Sequence, residues 1–100
     1  MKILLLEDEL MLNESIQEYL EALGHSVQSY LDGLQAYEKI KDHAYDLLIL
    51  DINVPGIDGL SFLEMIQELK IHTPAIYISA LVDIEDISRA YNLGCFDYLK

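Results

Sequence analysis

Short aliphatic runs alternate along this chain with longer stretches in which apolar residues return every third or fourth position. Ile3 to Leu6, Leu47 to Leu50 and Ala75 to Ile78 are of the first kind. They lack polar alternation, as strands covered on both faces of a parallel sheet do. A weaker strand is expected over Ser26 to Tyr30, after Gly24, and a last one at Tyr98 and Leu99. Helical spacing fills the intervals. Leu12, Ile16, Leu20 and Leu23 form one stripe, stopped by Gly24. Asp32 is placed to cap a short helix carrying Ala36, Tyr37 and Ile40. Asp58 is placed to cap another, with Phe62, Leu63, Ile66 and Leu69 on one side and Pro74 beyond its end. Asp83 opens a fourth with Ile84, Ile87 and Tyr91, closed by Gly94. Strands and helices in strict alternation predict an open α/β sheet with right-handed crossovers.

In such a sheet the ligand lies beyond the carboxyl ends of the strands, near the point where the strand order reverses. The residues that follow each strand therefore matter most. Glu7, Asp8 and Glu9 follow the first, Asp51 the third, and Ser79 and Ala80 the fourth. In the flavodoxin-like order 2-1-3-4-5 these three strands are neighbours. That order gathers carboxylates and a hydroxyl at one rim. Like charges brought together raise one another's pKa values unless a cation intervenes. Oxygen ligands without His or Cys favour a hard ion, and a few carboxylates with retained waters suit Mg²⁺. Each piece alone has an ordinary explanation: a solvated helix start, a turn residue before Pro55-Gly56, a loop hydroxyl. Their joint placement is the specific signal, and it suits phosphoryl chemistry. A carboxylate can attack phosphorus to form an acyl phosphate, while an ion and a hydroxyl neutralise the oxygens of the transferred group.

Composition narrows the class. The chain has 100 residues, one domain's worth, and 52% are hydrophobic, which excludes disorder. Eighteen Asp and Glu against six Lys and Arg leave a net charge of -12, unsuited to direct binding of nucleic acid or anionic lipid. Cys95 has no partner for an internal disulfide, and no Cys/His spacing suggests zinc. The run Ile3 to Leu6 is too short for a signal-peptide core, so a cytoplasmic chain without a membrane span is expected. Tyr19, Tyr37 and Tyr91 fall near the apolar stripes and are expected to be half-buried. Glu14, Glu18 and Glu21 form a solvated helix face. His25, His43 and His72 lie in connections and share no spacing with the acids.

Four motifs taken together resemble the response-regulator receiver domain of two-component signalling. They are Leu4-Leu5-Leu6-Glu7-Asp8-Glu9, Leu50 through Gly59, Tyr77-Ile78-Ser79-Ala80, and Gly94 through Leu99. The resemblance covers the whole chain. It implies that Asp51 is the phospho-acceptor, supplied by a histidine kinase. It also implies Mg²⁺ held by Asp8 and Asp51 directly, by Glu7 through a water and by the Asn53 backbone carbonyl. Ser79 becomes the switch hydroxyl and Tyr98 the switch aromatic. Such a domain is a switch that assists its own phosphorylation and dephosphorylation rather than an enzyme. Its expected partners are the kinase and a second copy in a homodimer, with DNA reached only through a separate C-terminal domain that controls transcription.

The sequence departs from the family pattern in three places. The family's Lys, three residues after the switch aromatic, falls one position past Lys100, so Lys100 is not given that role. The fifth helix is absent, which predicts a fragment cut before the end of its last strand. Ending there is expected to uncover strands such as Ile3 to Leu6 and the Leu and Ile stripe of the first helix. Receivers joined to winged-helix domains usually carry Asp-Asp before the Tyr and an Arg in the fourth helix. Phe96-Asp97 and Ile87 stand there instead, although Glu85 and Asp97 fit. A phosphorylation-independent interaction or dimerisation module is the alternative reading. A calcium loop starting at Asp51 fails because its twelfth place is Phe62. An aspartate-based phosphatase would need an acid where Asn53 stands, and a dinucleotide domain would need glycines before Gly24.

Overall fold

In the computed structural model five parallel strands form one sheet in the order β2-β1-β3-β4-β5. The structure describes residues 1–52, 54–78 and the main chain of 97–99. The elements are β1 (Lys2–Leu6), α1 (Leu10–Ala22), β2 (Ser26–Tyr30), α2 (Gly33–Ile40), β3 (Leu47–Asp51), α3 (Gly59–Glu68), β4 (Ala75–Ile78) and β5 (Asp97–Leu99). The expected fourth helix and Cys95 lie outside the described residues. β1 sits between β2 and β3, with Leu6 opposite Tyr30 on one side and Leu50 on the other. The strand order therefore reverses beside β1, and the rim beyond Leu6 is the switch point.

The pleat divides the aliphatic strands between two cores. Leu4, Leu6, Leu48, Leu50, Ala75 and Tyr77 face α2 and α3 in one buried cluster with Ala36, Ile40, Phe62 and Ile66. Asp32 caps α2 by accepting from the Leu34 and Gln35 amides at 2.7 and 3.4 Å. Asp58 caps α3 through the Ser61 amide at 2.8 Å. Both caps stand where the sequence places them.

The other face differs from expectation. Ile3 to Leu6 are all fully buried, not uncovered. Helix α1 lies over this half of the sheet, and β1, flanked by strands on both sides, is its most enclosed strand. The thinner cover is over β3 and β4. Ile49, Ile76 and Ile78 are half-buried there, in an open apolar groove of about 320 Å³ shared with Ile16, Tyr19 and Leu20 of α1. The α1 stripe is correspondingly exposed at Leu12 and Leu23, and Tyr19 at 67% exposure is not the half-buried packing residue expected. Leu69 is likewise exposed, because it falls beyond the last turn of α3. Tyr37 is half-buried, as expected.

Candidate metal centre at the carboxyl ends of the strands

Glu7 continues the line of β1 by one residue. Its amide donates to the Tyr30 carbonyl at 3.1 Å, extending the ladder with β2 past the strand's formal end. Its side chain is buried, at 3% exposure. Asp8 then turns the chain toward α1 and stays exposed, while Asp51, the last residue of β3, is half-buried. One carboxylate oxygen from each of Glu7, Asp8 and Asp51 lies within 4.8 Å of the others. The three acids predicted to converge do so.

Crowding of these acids sets their electrostatics. Burial, a hydrogen bond with Asp51 and the charges of Asp51 and Asp8 push the Glu7 carboxyl up to about 8, and a backbone hydrogen bond at Glu9 only partly opposes them. Without a cation, these effects favour the protonated form of Glu7. The donor set is all oxygen. With one oxygen from each acid inside 4.8 Å of the others, these residues fit a hard ion such as Mg²⁺ that keeps part of its water shell.

Three hydrogen bonds hold the loop after Asp51 and the start of α3. The Gly59 amide donates to the Ile52 carbonyl at 3.0 Å, and the Tyr77 hydroxyl in β4 donates to the Gly59 carbonyl at 2.9 Å. A Cβ on Gly59 would stand 2.3 Å from the Asp51 carbonyl oxygen, so only glycine lets α3 begin this close to Asp51. On the far side the Gly33 amide donates to the Pro55 carbonyl at 3.1 Å. Asp51 pairs with Ile78, so the end of β4 that leads into Ser79 lies beside it. Asn53, Ser79 and the Tyr98 side chain lie outside the described residues. The Tyr98 main chain pairs with Tyr77.

Sequence reasoning passed over Asn13, buried in α1 and bonded to this rim, and the Tyr77 hydroxyl. A polar residue within an otherwise apolar helix face was the available signal for Asn13. Tyr77 lies in an aliphatic run and gave none.

Residues 3–100 match the family model of the response regulator receiver domain. The chain belongs to that family. The transcriptional regulatory protein CrdR of Helicobacter pylori is 43% identical over 100 residues, covering 99% of this chain and 47% of that protein. The transcriptional regulatory protein DltR of Streptococcus agalactiae is 37% identical over 99 residues, covering 99% and 44%. The receiver domain of the Francisella response regulator 1452 superposes with a TM-score of 0.91 at 31% identity, over 98% of this chain and 81% of that one. This receiver chain spans about half the length of the transcriptional regulators it matches. Among the described residues, no helix of the receiver is long and apolar enough to cross a membrane.

Proposed function

We propose that the receiver accepts a phosphoryl group on Asp51 from a histidine kinase and so switches an output carried elsewhere in its protein. The observation that supports this most directly is the meeting of Glu7, Asp8 and Asp51 at the switch point of the sheet. An Asp51 carboxylate oxygen forms the new bond to phosphorus. The phosphorus–nitrogen bond of the donor phosphohistidine breaks, its electron pair stays on the imidazole nitrogen, and that nitrogen takes up a proton. Asp8 and Asp51 would hold Mg²⁺ directly, with Glu7 acting through a water and Asn53 through its carbonyl; the ion supplies charge neutralisation at the phosphoryl oxygens. Ser79 then reaches the phosphoryl group, and Tyr98 turns inward behind it. Phosphorylation then biases a two-state surface through which two copies pair.

The protein is a cytoplasmic phosphoacceptor switch rather than a turnover enzyme, and the output is transcription. CrdR and DltR are named as transcriptional regulators. With a net charge of -12, the receiver leaves DNA contact to another domain. The test is intact-mass analysis after incubation with Mg²⁺ and a small phosphodonor. One acid-stable, base-labile phosphoryl group is expected on the native chain and none on Asp51→Asn. Equal labelling of the Asn variant overturns the assignment.

A further inference from the structure

Only one residue of helix α1 is buried, and it is polar: Asn13, at 2% exposure. Its side-chain nitrogen donates to the Glu7 carbonyl at 3.0 Å and to the Tyr30 carbonyl at 3.4 Å. Both partners are acceptors, so only the NH₂ end of the amide can serve them. The Asn13 main-chain amide donates to the Glu9 carbonyl at 2.9 Å. That last bond belongs to the first turn of α1 and any residue there would make it; the side-chain bonds belong to Asn13 alone and tie the start of α1 to the Glu7 end of the turn Glu7-Asp8-Glu9.

Nothing else on α1 does this work. Glu9, at the N-cap, makes no side-chain capping bond, and the apolar residues of α1 are half-buried or exposed. The charges of Asp8 and Asp51 push Glu7 toward its protonated form, and its side chain then hydrogen-bonds to Asp51. The bond from Asn13 to the residue that follows β1, itself tied to β2, fixes the main chain from which Glu7 and Asp8 reach that rim. We infer that Asn13 is a positioning residue for the metal-binding carboxylates, holding the turn that sets Glu7 and Asp8 against Asp51. This rests on the reading of the rim as a Mg²⁺ site. A leucine has the same branching, a larger volume and no donor, so Asn13→Leu removes the bonds to both carbonyls and releases the end of β1. An ion must then rebuild the site on binding, which lowers its apparent affinity.

The experiment is a Mg²⁺ titration of the 100-residue chain, followed by the backbone amide signal of Asp8, with melting in chelator measured alongside. Asn13→Leu should weaken Mg²⁺ binding by about five-fold or more, the size of one lost hydrogen bond. Asn13→Ser, too short to reach both carbonyls, should act in the same direction and carries the test if the Leu variant does not fold. Ile66→Val, a core change in α3 away from the rim, should lower the melting temperature and leave affinity unchanged. If the Asn13 variants melt lower but bind Mg²⁺ as the native chain does, Asn13 is structural only and the inference is overturned. If Asp8→Asn binds as tightly as the native chain, the metal-site reading itself fails, and the inference with it.

Discussion

Glu7 couples the folded state to protons. Its carboxyl stands near 8 in the fold against an ordinary 4.5, so the folded chain keeps a proton that the unfolded chain has lost. In chelator that contribution to stability is complete below pH 4.5 and disappears as pH rises toward 8. Chemical denaturation of the metal-free chain should therefore show stability falling by at least ~1 kcal/mol between pH 5 and pH 8. Glu7→Gln, neutral throughout, should flatten that slope. An unchanged slope in the Gln variant would place the titrating group elsewhere. Glu7, Asp8 and Asp51 were legible in the sequence because each ends or follows an aliphatic run, and strand order then dictates that they meet. Asn13 was not, because its partners are main-chain carbonyls on two strand ends, and a hydrophobicity pattern carries no record of where carbonyls point.

At the scale of elements, the turns around α2 and α3 are set by contact as much as by propensity. A Cβ on Gly33 would stand 1.7 Å from the Ile57 carbonyl oxygen, and that obstacle is backbone. Gly33→Ala must separate the start of α2 from the loop after β3. It should cost about 1–3 kcal/mol, read as a lower thermal midpoint, with a matching loss of the Gly33 amide's protection from exchange. An unaltered midpoint would mean that the loop is not held against α2. The strands, the caps Asp32 and Asp58, and the stop after α1 were readable, since each depends on residues close in sequence. Exposure was less so. The α1 stripe is exposed at Leu12 and Leu23, as its sequence position led one to expect, but Tyr19 is exposed where half-buried packing was expected. Ile3 to Leu6, expected to be uncovered, are the best-covered strand, because burial there follows from the position of β1 in the sheet.

Across the whole molecule, sheet order turns separate acidic positions into one site, and it also governs how the chain can come to be folded. Every described pairing is parallel, so each joins segments with at least one connection passing over the sheet between them, and the pairing of β1 with β3 skips over β2 entirely. Among the described strands no hairpin is available to start the sheet. Contacts of high sequence separation must close loops before they are rewarded, which slows folding relative to helical bundles of the same size. β1 takes part in two of these pairings, so the barrier should be crossed when it is captured. Leu4→Ala, in the buried centre of β1, should slow refolding in stopped-flow by much of its equilibrium effect. Leu63→Ala in α3 should mainly speed unfolding. If the two variants divided their effects the other way, the nucleus would lie around α3. A native Leu at the middle of β1 would then serve the finished site without guiding its assembly.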